Sequence, residues 1–259
     1  MTNKVLFDLS ARGVATVTFN RPEATNAYDQ DVIDALGEHY TRLGKDASVR
    51  AIVLRGTGRH FSGGADVRWH GDRPKPPADA PPPLSVFAVC DLIRTTPHPT
   101  LALVQGGCIG GAMALASCCD ILIAANNAFF SIPEVRLGFA PGTSSGPMFA
   151  RAIGVRNFRR YGMTGQRFGA QEALRMGLAH ELCELQDLER ALEAQLEELL
   201  LAAPGAARKA KLMAKQLARP QPSLKAIEAL FANPLETPES IEGHKSFLEK
   251  RKPNWYPKA

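Results

Sequence analysis

The spacing of apolar and polar positions changes along the chain, and each change marks an element. Residues 5–9 (VLFDL) and 14–19 (VATVTF) are β-branched and aromatic runs flanking Ser10, Arg12 and Gly13, the pattern of an antiparallel hairpin. From Asp29 the period lengthens: Val32, Ile33, Leu36, Tyr40 and Leu43 recur at helical spacing behind an aspartate placed to open a helix. AIVLRG at 51–56, TLALVQG at 100–106 and DILIAA at 120–125 are apolar runs of strand length, and GAMALAS at 111–117 predicts a tightly wound helix between the last two. LSVFAVCDLI at 84–93 predicts an amphipathic helix. Strands alternating with helices predict an α/β fold with a parallel layer.

Two stretches break the pattern. GDRPKPPADAPPP at 71–83 holds six prolines in thirteen positions, which excludes helix and central strand and predicts a loop. From about residue 185 the chain becomes Leu/Ala/Glu/Lys-rich and helical, with breaks near Pro204, Pro220–Pro222 and Pro234–Pro238. The expected division is a core over 1–185 and a helical C-terminal subdomain over 186–259.

Composition narrows the function classes. With 259 residues, 45% apolar and 22% charged, the chain can bury one sizeable α/β core. Its net charge of +5 is spread out, with no polybasic run and no nucleic-acid module, so no nucleic-acid partner is expected. No apolar run reaches the roughly 18 residues of a membrane span, and MTNKVLFDLSARG lacks the apolar centre of a signal peptide. A cytoplasmic protein without membrane attachment is expected. The five cysteines are odd in number and lack CxxC spacing, which reads as reduced thiols, and the six histidines lack HxxxH or HExxH spacing, so no metal site is expected.

Three segments are candidates for chemistry. FSGGADV at 61–67 places two glycines before Ala65 and Asp66, where a helix start would point free N–H groups at an anion. Its plain alternative is an ordinary strand-to-helix connection, with Asp66 capping the helix. VQGGCIGGAM at 104–113 reads as a strand, a glycine turn and a helix beginning near Gly111; it is neither a Walker loop nor GxGxxG. IPEV at 132–135 sets Glu134 after an apolar stretch, where partial burial would make it an acid/base group. Asp66 and Asp120 compete for that role, although Asp120 opens a strand. A rival motif, GTSSG at 142–146, matches the nucleophile elbow of hydrolases, with His180 or His244 as base; Pro141 and the lack of a leading strand count against it.

Taken in order, NRPEATNA (20–27), FSGGADV, VQGGCIGGAMALASCCDILIAA (104–125), IPEVRLGFAPG (132–142), YGMTGQRFGAQEALRMGLAHEL (161–182) and FLEKRKPNW (247–255) resemble the crotonase, or enoyl-CoA hydratase/isomerase, superfamily. The SCCD run, EVRLG and Trp69 look closest to bacterial methylglutaconyl-CoA-type hydratases. The resemblance implies a spiral of ββα units with a helical trimerisation subdomain, a homotrimer or homohexamer, and an acyl-CoA substrate of fatty-acid metabolism whose coenzyme A leaves no separate cofactor to bind. It places the enolate-holding amides on Ala65 and Gly111 and the proton carrier on Glu134. It places coenzyme A contacts on Ala24, Arg59, Gly63 and Arg68, and on Phe247 and Lys250 of a neighbouring subunit.

Two positions depart from the family pattern. Glu23 replaces a lysine that usually touches coenzyme A. Ala114 stands where hydratases carry their first glutamate, and Thr143, Ser144, Ser145 and His70 are the candidates for holding water in its absence. Hydration of a 2-enoyl-CoA is therefore expected, with double-bond isomerisation through Glu134 alone, or acyl-CoA binding without turnover, as the alternatives.

Overall fold

A computed structural model of the chain describes residues 3–71, 81–142, 145–218 and 237–257. The expected hairpin is formed by β1 (Val5–Leu9) and β2 (Val14–Phe19), paired Val5 to Phe19 and closed where the Gly13 N–H donates to Ser10 O. Helix α1 (Gln30–Leu43) follows, with the Asp29 carboxylate accepting from the Val32 N–H and the predicted stripe buried. β3 (Ala51–Gly56), β4 (Thr100–Val104), β6 (Ile121–Ala125) and β9 (Glu181–Cys183) extend the sheet in parallel, in the order β1-β2-β3-β4-β6-β9.

This sheet is covered on both faces, which explains strands that are apolar at every position. Ile52, Leu54, Ala102, Val104, Leu122 and Ala124 face one core, shared with α1, α3 (Val86–Thr95), α4 (Gly111–Ser117) and α5 (Ser145–Ile153). Val53, Leu101, Leu103, Ile123 and Ala125 alternate to the other face, against Leu188, Leu192, Leu196 and Leu200 of α8 (Leu188–Leu201). Next, α9 (Pro204–Leu217) is pinned to the sheet by Lys211, which pairs with Asp120 at 2.7 Å and donates to His98 O. The Glu239 carboxylate of α10 (Pro238–Leu248) accepts from the Gly205 and Ala206 N–H groups.

The structure differs from expectation in one place that matters. The glycine segment after β4 is not only a turn. It contains a strand, β5 (Gly107–Ile109), which pairs with β7 (Phe129–Ser131), itself paired with β8 (Phe168–Gly169), making a second, three-stranded sheet. Most of the expected 71–83 loop and the Pro220–Pro222 break lie outside the described residues.

Candidate active site

The NRPEATNA segment forms one 3-10 turn, Pro22–Ala24, followed by Thr25 and Asn26 at φ 54° and 55°. Asn26 is 1% exposed. Its Oδ1 accepts from the Arg21 N–H, and its Nδ2 donates to Thr57 O and His60 O, both at 2.8 Å, so one side chain ties this loop to the approach of the FSGGADV segment. FSGGADV is then fastened residue by residue: the Gly63 N–H donates to Thr25 O, and the Ser62 hydroxyl donates to Asn26 O while accepting from the Gly64 N–H.

Tyr28 completes that edge. Its N–H donates to Gly64 O and its carbonyl accepts from the Asp66 N–H, both at 2.8 Å, forming a parallel bridge between Tyr28 and Ala65. In an extended segment successive N–H groups point to opposite sides. With Gly64 and Asp66 turned to Tyr28, the Ala65 N–H faces away. On the other edge the Ser62 N–H donates to Gly107 O and the Ile109 N–H donates to Ser62 O, so β5 runs alongside. The approach is close: Gly64 has φ +91°, and a Cβ there would lie 2.7 Å from Ile109 O.

Two residues further on, α4 begins at Gly111, whose N–H as the first of the helix has no intrahelical acceptor. Gly110 anchors the turn by donating to Ser131 O of β7. The strand pairing therefore sets the Ala65 and Gly111 amides on adjoining turns, and among the described residues no hydrogen bond takes up either of them.

Glu134 opens a 3-10 turn, Glu134–Leu137, just past β7, and this places its carboxylate beside the same glycines: a Cβ on Gly110 would sit 3.6 Å from Glu134 Oε1. Its Oε2 is buried with no hydrogen-bond partner among the described residues. Burial pushes this carboxyl above the usual 4.5, with a backbone hydrogen bond opposing. Ala114, one turn into α4 and fully buried, offers no second carboxylate.

Sequence reasoning passed over Tyr28. A Cβ on Gly111 would meet the Tyr28 hydroxyl oxygen at 2.0 Å, so the phenol lies directly against the second turn while its backbone holds the first. Tyr28 is 5% exposed. Burial, with Cys90 and Glu134 close by, raises its hydroxyl well above the ordinary tyrosine range and keeps it neutral. The signal that could have found it is the position itself, two residues past the asparagine that organises the loop.

The other candidates sort by location. Arg59 and Arg68 are exposed beside the first turn, with Ala24 and Gly63 half-buried between the loops. Asp66 caps α2 (Val67–Gly71), accepting from the Arg68 N–H, and pairs with Arg21. Asp120 accepts from the Thr100 N–H and hydroxyl and holds Lys211, a structural role. Phe247 and Lys250 stand exposed at the end of α10 and just past it, where Phe247 lines a groove with Ala206, Met213 and Trp255. Ser145 starts α5 and its hydroxyl donates to Gly142 O, while Ser144, the nucleophile position of the GTSSG motif, lies outside the described residues; the described residues before it, 138–142, form no strand. His180 Nδ1 accepts from the Leu122 N–H, and His244 contacts Ser240 of its own helix. Thr143, Ser144 and the side chain of His70 lie outside the described residues. Among the described residues no group of three or more His, Cys, Asp or Glu could hold a metal, and no helix is long and apolar enough to cross a membrane.

Comparison with known proteins agrees over nearly the full length. The enoyl-CoA hydratase/isomerase family matches residues 10–258. The "Probable enoyl-CoA hydratase echA8" of Mycobacterium bovis is 31% identical over 257 residues, covering 98% of this chain and 99% of its own. Among solved structures, AtuE of Pseudomonas aeruginosa superposes with a TM-score of 0.87 at 33% identity, covering 98% of this chain and 100% of its own. An enoyl-CoA hydratase of Mycobacterium smegmatis gives 0.87 at 28% identity, covering 98% and 99%.

Proposed function

Because this chain belongs to the enoyl-CoA hydratase/isomerase family and has the crotonase fold, we propose that it adds water to a 2-enoyl-CoA through an enolate held by the Ala65 and Gly111 amides. One observation carries this reading: two unclaimed N–H groups on adjoining turns, with a desolvated carboxylate beside them. The thioester oxygen sits between the amides. As water bonds to C3, the double-bond electrons move onto that oxygen, and preorganised donors in a dry site stabilise the charge. Glu134 takes the water proton and returns one to C2, restoring the thioester, so that H and OH are added across the double bond.

Coenzyme A enters with the substrate and no further cofactor is needed. Backbone at Ala24 and Gly63 and the cations Arg59 and Arg68 ring the first turn, suited to a nucleotide end bearing phosphates. Phe247 and Lys250 would serve a neighbouring subunit's site in a homotrimer or homohexamer assembled through residues 186–259. Ala114 favours a second reading, double-bond isomerisation, because one carboxylate suffices to carry a proton between two carbons.

The experiment is a panel of conjugated 2-enoyl-CoA thioesters, short, branched and carboxylated, followed by loss of the enone absorbance. The methylglutaconyl-like SCCD and EVRLG segments make the branched, carboxylated members the first to try. A fall with any member supports hydration. No change with any, together with migration of a 3-enoyl double bond into conjugation, would transfer the assignment to isomerase.

A further inference from the structure

The site as described has one acid/base group, yet hydration needs its water held at a defined point as well as deprotonated. The α4 wall offers nothing: Ala112, Met113 and Ala114 are all fully buried and apolar. Besides the Glu134 carboxylate, a polar side-chain atom that reaches the second turn is the Tyr28 hydroxyl, which a Cβ on Gly111 would meet at 2.0 Å. The backbone of Tyr28 is held in place, because its own N–H and C=O are both consumed in the bridge to Gly64 and Asp66, and its ring is packed in the core at 5% exposure.

A tyrosine 5% exposed ordinarily finds a hydrogen-bond partner for its hydroxyl. Here no described residue supplies one; the hydroxyl lies against Gly111, and Cys90 and Glu134 act on it electrostatically. Plain core packing would be served as well by phenylalanine and would not set a hydroxyl against Gly111, on the turn whose neighbouring glycine faces Glu134, a carboxylate with a buried oxygen unmatched among the described residues. Building on the hydratase reading, we propose that Tyr28 is the water-positioning residue of this site, its hydroxyl holding the attacking water against Glu134 in the role left open by Ala114.

The neutral phenol can accept one hydrogen bond and donate one. Accepting one O–H of the water leaves the other O–H directed at Glu134 and an oxygen lone pair toward C3. When the C3–O bond forms, that proton passes to Glu134 and then to C2. Tyr28 itself neither gains nor loses a proton.

The test is Tyr28→Phe, which keeps the ring against Gly111 and deletes only the hydroxyl. Two rates are read in wild type and variant: hydration of the best panel thioester, and exchange of the α-protons of the matching saturated acyl-CoA in deuterated water, which needs the enolate and Glu134 but no water at C3. Hydration kcat is expected to fall about 30- to 300-fold, on the scale of losing one correctly held reactant. KM and α-proton exchange should stay within about threefold. Equal loss of both rates would overturn the proposal by assigning the hydroxyl to the enolate or to the frame, and unchanged hydration would overturn it outright. Wild-type hydration is the control: without it the hydratase reading itself falls, whereas an active wild type with an equally active variant removes only the role of Tyr28.

Discussion

Gly64→Ala probes how the first amide is held in place. Two costs add at this position. A side chain at φ +91° sits where L-residues pay about 1–2 kcal/mol, and the new Cβ would lie 2.7 Å from Ile109 O, a main-chain atom of β5 with no rotamer to escape into. Overpacking of this kind costs about 1–3 kcal/mol. The expected loss is thus about 2–5 kcal/mol in urea unfolding. Relief of the contact must move the Gly64–Ala65 peptide, so kcat should also fall by about 10²–10³, the usual effect of losing one oxyanion donor. Gly63→Ala is the matched control: its Cβ would meet the Thr25 hydroxyl at 2.7 Å, but that side chain is exposed and can rotate away by exchanging its bond to Ala24 O for water, and φ carries no penalty. Less than about 1 kcal/mol is expected there. If the two variants unfolded within about 1 kcal/mol of each other and turned over within about threefold, the claim that backbone packing at Gly64 aims the Ala65 amide would be wrong.

Glu134→Gln should cut turnover by about two to four orders of magnitude without lowering the unfolding midpoint, and near-normal activity would remove Glu134 from the mechanism. Because burial raises this carboxyl above 4.5, the acidic limb of kcat/KM should lie above the usual glutamate range and vanish in the variant. The stability linkage has the opposite sense: protonation favours the folded state, so this contribution is full below 4.5 and is lost as pH rises through the folded value, which urea titrations against pH in wild type and variant would read. Asn26→Ala removes three hydrogen bonds and should destabilise by about 2–4 kcal/mol, with kcat falling alongside because the first turn loosens. Lys211→Met breaks the tie of α9 to Asp120 and His98 O and should cost about 1–3 kcal/mol in unfolding with kcat/KM unchanged.

The elements legible in the sequence are those with their own local signal. The hairpin carries alternation plus turn residues, α1 carries a cap and a stripe, and β3, β4 and β6 read as apolar runs because helices cover both of their faces. The second sheet was not legible. β5 and β7 are three residues each and β8 two, too short to show a period, and glycines within and around β5 imitate a simple turn. The single-residue bridges Tyr28–Ala65 and Ser62–Cys108 leave no pattern at all, since they depend on three distant segments arriving side by side. Ala65, Gly111 and Glu134 stand out as candidates because glycine turns and an isolated glutamate beside proline are local features, and the family resemblance names them together. Tyr28 could not, because a lone aromatic past a helix-opening loop looks like any core residue until its hydroxyl is found against Gly111.

The amides at 65 and 111 belong to the main chain, and the bridges that aim them are main-chain bridges too. Heritable variation acts on side chains, so most codon changes nearby leave the two amides proposed to hold the enolate as they were. On the proposed reading, a lineage built on such a scaffold can drift through new acyl groups, lose a carboxylate at a position such as 114 and recruit a different polar group, without first losing its grip on the thioester. The glycines at 64 and 111 are the exceptions, and they concentrate the evolutionary risk of the site in positions that touch no substrate with a side chain.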